Sequence, residues 1–149
     1  NKYQNTFGIS GYNMEVIDIK SGKRTEFIDV TSNVQRTLGR MSAGDGLCHV
    51  YVPHTTAGVT INENADPSVV RDIMDALERL VPLSAAYSHA EGNAAAHIKS
   101  TLVGCHLTVP VKAGKLCLGA WQGIFFCEFD GPRSRKLYVD LVSSPTLGR

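Results

Sequence analysis

The stretch Val52-Pro53-His54-Thr55-Thr56-Ala57-Gly58-Val59-Thr60-Ile61-Asn62-Glu63-Asn64-Ala65-Asp66-Pro67 decides how the rest of the chain is read. It joins an apolar strand to a helix that opens at Asp66-Pro67, with hydroxyls, amides and a carboxylate crowded between them. Side chains alternate between the faces of a strand, so a strand over Leu47 to Pro53 puts Cys48, Val50 and Val52 on one face, and His54 continues it. The imidazole is therefore expected to point toward the side the valines bury. A second short strand, Ala57 to Ile61, sets Ala57, Val59 and Ile61 against Thr60 and Asn62. Glu63 and Asn64 then fall at a strand end ahead of a helix N-terminus, where backbone N–H groups and the helix dipole favour anions. The plainer reading makes Thr55, Thr56, Asn62 and Asn64 turn residues bonded to local backbone, and His54 a satisfied buried histidine.

Composition sets the frame for that stretch. At 149 residues, 43% of them hydrophobic and 19% charged, the chain is long enough for one domain with its own core, spanning residues 1–149. A net charge of +1 gives no electrostatic reason to expect nucleic acid. No apolar run approaches the roughly 20 residues of a membrane span, so no membrane partner is expected. The four cysteines, Cys48, Cys105, Cys117 and Cys127, contain no C-x-x-C pair and sit in apolar runs. They are expected to be buried free thiols of a cytoplasmic protein.

Working outward toward the N-terminus, Tyr12 to Ile19 and Arg24 to Val30 read as β-branched strands around Ser21-Gly22-Lys23, hence a hairpin. Ser32-Asn33-Val34-Gln35 fits a capping box with serine at the N-cap, followed by Val34, Leu38 and Met41 at helical spacing. Toward the C-terminus, Asp66 as N-cap and Pro67 in the first turn open a helix. Its apolar stripe is Val69, Val70, Ile73, Met74, Leu77, Leu80 and Val81. The composition then turns small and polar through Tyr87 to Ser100, which places His89 in a loop and His97 and Lys99 near a short helical segment. From Cys105 onward strands return. His106 falls on a polar face, and Gly123 to Phe129 is apolar on both faces, as in a strand buried on both sides.

Two patterns carry chemistry. His54, His89 and His97 together would make a three-nitrogen set with an open position, the pattern of a catalytic zinc site. The turn Asp130-Gly131-Pro132-Arg133-Ser134-Arg135-Lys136 carries three cations. Arg133, between a proline turn and a returning strand, is well mounted to bind phosphate, whereas Arg135 and Lys136 are expected to face water. Glu128 lies inside an apolar strand and calls for a partner.

The ordered set Pro53-His54-Thr55-Thr56-Ala57-Gly58, Asn62-Glu63-Asn64-Ala65-Asp66-Pro67, Ala96-His97-Ile98-Lys99, Gly119-Ala120-Trp121-Gln122-Gly123 and Glu128-Phe129-Asp130-Gly131-Pro132-Arg133-Ser134-Arg135 closely resembles the YjbQ family. The resemblance runs from about Glu15 to Val142. Members of that family have been described as secondary thiamine-phosphate synthases. The resemblance implies a single α+β domain, with antiparallel sheets in a sandwich-like core and two or three helices, assembling as a homotrimer with sites near subunit interfaces. It implies His54, His89, His97 and Glu63 as catalytic residues, the three histidines also as ligands for Zn2+ or another divalent metal. Asn64, Lys99, Trp121, Gln122 and Arg133 would bind a phosphorylated small molecule. Two departures stand out: Ala120 where threonine is expected before the tryptophan, and an alanine-rich loop between His89 and His97.

The activity so implied joins an aminopyrimidine diphosphate to a thiazole phosphate and releases pyrophosphate, which calls for cations on the leaving group. No aspartate-rich magnesium motif is present, which points to a weak, secondary activity. Two alternatives use the same residues: zinc-assisted hydrolysis with Glu63 or Glu91 as base, and a ligand-binding or regulatory trimer without turnover.

Overall fold

The computed structural model describes residues 14–143. The chain runs β1 (Met14–Lys20), β2 (Glu26–Asp29), α1 (Thr31–Arg40), β3 (Gly46–Tyr51), β4 (Ala57–Glu63), α2 (Pro67–Leu80) and α3 (Ala94–Val103), then β5 (His106–Lys112), β6 (Lys115–Leu116), β7 (Gln122–Glu128) and β8 (Ser134–Ser143). Two antiparallel sheets form, one in the order β1-β8-β3-β5-β6 and one in the order β2-β7-β4. The expected α+β sandwich is what the chain adopts.

Alternation explains the layers. Cys48 and Val50 on β3, Leu137, Val139 and Leu141 on β8, and Val109 and Val111 on β5 are buried on the inner face of the large sheet. They meet Val59, Ile124 and Phe126 of the small sheet, and Val34 and Leu38 of α1 close one end of this core. Each such side chain fully removed from water contributes roughly 1.5–3 kcal/mol. β7 is buried on both faces, as its sequence predicts. Phe125, Cys127 and Phe129 point away from the main core into a second cluster with Ala96, Val70, Leu77 and Val103, which seats α2 and α3 on the small sheet. Gly58 lets α3 come that close: a Cβ there would stand 2.6 Å from the Gly104 carbonyl oxygen, which accepts the Val59 N–H at 3.0 Å.

Four expectations need correction. β1 and β2 are not a hairpin. β1 pairs with β8 and β2 with β7, so the segment between them crosses from one sheet to the other; Tyr12 lies outside the described residues. The capping box at Ser32 does not form, because α1 starts at Thr31 after Val30 without a side-chain cap. Asp29 intervenes instead, its Oδ1 accepting the Thr31 N–H at 2.9 Å and the Thr31 hydroxyl at 2.6 Å. The α2 stripe is only partly covered within this chain, with Val81 beyond its end the one buried member. The helix is capped as expected by Asp66, whose Oδ1 accepts the Ser68 N–H at 2.8 Å, yet none of its residues is buried and Leu80 is 69% exposed. All four cysteines are free, but only Cys48 and Cys127 are buried; Cys105 and Cys117 lie in strand-end and hairpin positions open to solvent.

Candidate functional site

Where β3 stops, the site begins. Pairing of β3 ends at Tyr51; past Val52 and Pro53, the Lys136 N–H of β8 donates to His54 Nε2 at 2.9 Å. The imidazole thus stands in for the acceptor that a longer strand would have offered. Ser100, buried on α3, donates its hydroxyl to the Thr55 carbonyl at 2.5 Å and pins this turn to the helix that carries His97. At the other side the turn after β7 is bound to the loop ahead of α3, with Asn93 Nδ2 donating to Asp130 Oδ2 at 3.1 Å. These connections enclose an open, polar cavity of about 570 Å³, bordered by Tyr51, His54, Thr56, Glu91, Asn93, His97, Asp130, Arg133 and Arg135.

Beneath it lies Glu128, fully buried. Its carboxylate receives Arg135 in a fork, Nε to Oε2 at 2.9 Å and Nη2 to Oε1 at 2.6 Å. It also accepts the Ser21 hydroxyl at 2.9 Å and the Asp130 N–H at 2.9 Å. Burial alone would raise its pKa; the Arg135 hydrogen bonds, the Asp130 amide and Ser21 together outweigh burial and hold it below the ordinary glutamate value. Ser21 Oγ in turn accepts the Arg133 N–H at 2.8 Å. One buried carboxylate therefore fixes the strand end of β1, the turn at Asp130 and the arginine behind it.

Arg133 is half exposed at the cavity rim. Its Nε donates to the Asp130 carbonyl at 2.7 Å and its Nη2 to Asp130 Oδ2 at 2.8 Å, while Nη1 has no partner among the described residues. Asp130 is shared, because Arg24 Nη1 approaches its Oδ1 at 3.9 Å. Burial, and then the Arg135 guanidinium, push His54 below its ordinary pKa. A neutral imidazole that accepts at Nε2 carries its proton on Nδ1, so His54 presents a donor there.

This arrangement gathers only part of the residues expected from sequence. His54, His97 and Arg133 border the cavity; His89 stands behind His97, ring centroids 5.3 Å apart, with its Nε2 3.6 Å from Glu91 Oε2. Lys99 does not reach the cavity. It is buried and its ammonium is bonded to Glu78 of α2, so it ties the two helices together. Glu63, Asn64, Trp121 and Gln122 lie at the far end of the small sheet, six residues along β4 from Ala57 or about 20 Å. There Glu63 is opposite Gln122, Asn64 Nδ2 donates to Asp29 Oδ2 at 3.1 Å, and Trp121 is 66% exposed. Arg135, expected in water, is 7% exposed, and Lys136 pairs with Asp18 at 2.8 Å. Sequence reasoning missed Arg135, Thr56, Asn93 and Asp130. Parity was the available signal, because Arg135 shares the face of Leu137 and Val139 on β8.

The residues present do not fit a metal. Among the described residues no group of three or more His, Cys, Asp or Glu is placed to hold an ion. The lone pair of His54 Nε2 is taken by the Lys136 N–H, and ligation through Nδ1 would put a second proton against that amide.

The comparisons with known proteins agree with the fold. The family described as UPF0047 protein YjbQ-like matches residues 15–144. A UPF0047 protein of Methanocaldococcus jannaschii is 53% identical over 124 residues, 83% of this chain and 90% of its own. The Bacillus subtilis protein YugU is 46% identical over 130 residues, 87% of this chain and 98% of its own. A crystal structure of a family member from Clostridium acetobutylicum, 46% identical, superposes with a TM-score of 0.84 over 86% of this chain and 99% of that one. A YbjQ-like protein from Sulfolobus solfataricus keeps a TM-score of 0.85 at 29% identity, over 89% of this chain and 98% of its own. With the fold, the ordered motifs and these relatives in agreement, the chain belongs to the YjbQ/UPF0047 family.

Proposed function

We propose that the protein is an enzyme that holds the phosphoryl group of a small-molecule substrate in this cavity, with the weak thiamine-phosphate synthase activity that the family resemblance implies. The observation that carries the reading is the unspent guanidinium edge of Arg133. Asp130 is the one carboxylate it touches, and Asp130 also faces Arg24, so two cations share one anion at the rim. The half-buried His54 adds a donor at Nδ1, and α3, a helix of 10 residues, opens at Asn93 on the cavity border, so the positive end of its dipole lies at the site.

In the condensation, the thiazole nitrogen attacks the methylene carbon of the aminopyrimidine diphosphate as the carbon–oxygen bond to the diphosphate breaks. Negative charge grows on the departing oxygen, and fixed cations and N–H donors stabilise that growth. The subunit is read as part of a homotrimer. Val16, Leu47, Tyr51 and Val142 are exposed together on the outer face of the large sheet, a surface that association would cover. Four free thiols support a reducing, cytoplasmic setting, and no helix of the described residues is long and apolar enough to cross a membrane.

Calorimetric titration with inorganic phosphate and pyrophosphate, followed by a condensation assay, tests the reading. Arg133→Lys should weaken anion binding by about tenfold or more, since a charged hydrogen bond is worth roughly 1.5–3 kcal/mol and lysine lacks the fork. Arg36→Lys, on the exposed side of α1, should change nothing. A wild-type protein that binds neither anion at millimolar concentration refutes the phosphoryl reading; binding without turnover makes it a ligand-binding trimer.

A further inference from the structure

Arg135 is a buried guanidinium with one end left open. Its Nε and Nη2 are committed to Glu128, and Nη2 also donates to Thr56 Oγ1 at 2.8 Å. Nη1 has no partner among the described residues, yet it is not one of the buried side-chain atoms sealed from solvent without a partner. Arg135 borders the cavity, so Nη1 is the part of the guanidinium that reaches it. The group cannot swing away, because its other edge is locked on a fully buried carboxylate. Arg133 lies two residues before it, and the Ser21 N–H donating to the Arg133 carbonyl at 3.0 Å continues the β1–β8 ladder through that position. Residues two apart in extended chain share a face and stand about 7 Å apart. Two guanidiniums are thus offered in sequence, one rigid at the floor and one half-exposed at the rim.

We infer that Arg135 binds an inner phosphoryl group through Nη1 while Arg133 binds an outer one, so that the cavity selects a diphosphate over a monophosphate. The inference rests on the phosphoryl reading of the same cavity, which already takes a diphosphate, and adds the residue that holds the inner phosphoryl group.

The experiment compares pyrophosphate with inorganic phosphate on the whole chain by calorimetry. Wild type should bind pyrophosphate about tenfold or more tightly than phosphate. Arg135→Lys keeps a cation against Glu128 but has no third nitrogen to present; it should lose that preference while binding phosphate as wild type does. Equal pyrophosphate affinity in Arg135→Lys and wild type overturns the inference and leaves the phosphoryl reading standing. Absence of binding of both anions to wild type overturns both. Should the variant fail to fold, the side-chain ¹⁵N resonances of Arg135 in wild type decide the matter: they shift on adding pyrophosphate if Nη1 is a ligand, and unmoved resonances in a saturated sample overturn the inference.

Discussion

Replacing Glu128 by glutamine is the sharpest test of what holds the site together. The amide keeps the shape of the carboxylate but loses its charge and one of its two acceptors. Oε1 must remain an oxygen, because the Asp130 N–H that donates to it at 2.9 Å is fixed backbone. The new NH2 therefore faces Arg135 Nε, donor against donor, in place of a 2.9 Å bond. Ser21 can turn its hydroxyl toward the Arg133 carbonyl, 3.2 Å away, so the loss concentrates on Arg135. A guanidinium 7% exposed is then left without its counter-charge, a change that costs roughly 3–5 kcal/mol against about 1 kcal/mol for an ordinary neutral hydrogen bond. In a chain of this size each kcal/mol moves the melting temperature by about 2–4 °C, so a fall of about 6–20 °C is expected. Thermal unfolding at fixed subunit concentration measures the shift, and urea unfolding the free energy. Glu128→Leu combined with Arg135→Met should lie closer to wild type than Glu128→Gln does, because the uncompensated charge is gone. The pH dependence adds a second check. With its folded pKa below the ordinary value of 4.5, Glu128 contributes stability that is present above that value and lost as pH falls through the folded pKa, since the unfolded chain takes up the proton first. The gap between wild type and Glu128→Gln should be constant above about pH 5 and close in acid. A loss below about 1 kcal/mol with no such closure would refute the account of Glu128 as the anchor of the site.

Thiol titration of the folded protein should modify Cys105 and Cys117 rapidly and Cys48 and Cys127 only after denaturation, when four thiols per chain react; burial holds the Cys48 thiol up at about 12, and fast reaction of Cys48 in the native state would contradict its placement. Lys99→Met should lower the unfolding midpoint by breaking the link to Glu78 and leave pyrophosphate affinity unchanged, and a loss of affinity in a folded variant would return Lys99 to the binding set.

The fold was legible wherever one local rule governed. Asp66-Pro67 opens α2, Cys48 and Val50 face inward, and β7 is apolar on both faces, each from a spacing of at most a few residues. The failures needed pairings distant in sequence. Ser21-Gly22-Lys23 looks like a hairpin turn, but β1 finds its partner more than a hundred residues later in β8, and loop composition does not encode which sheet a strand joins. Ser32 lost the N-cap position because Asp29, placed by the pairing of β2 with β7, reaches Thr31 first.

The site divides along the same line. Strand parity singled out His54 and the preceding turn singled out Arg133, and both border the cavity. In the cation run Arg133-Ser134-Arg135-Lys136 the turn marked Arg133 for phosphate and left Arg135 and Lys136 to water, yet the three cations have three different fates. The alternation of β8 turns Arg135 inward onto Glu128 and Lys136 outward onto Asp18, and leaves Arg133 at the rim. Glu128 had announced from sequence that it needed a partner, and β8 was the next strand to offer a cation on the buried side. Desolvating two opposite charges is tolerable only when they meet in a fork with their remaining donors and acceptors satisfied. Five of those bonds are made here by Arg135, Ser21, Thr56 and the Asp130 amide. A buried pair of that kind holds its guanidinium in one orientation, and the nitrogen it leaves over is aimed by the fold before any ligand arrives.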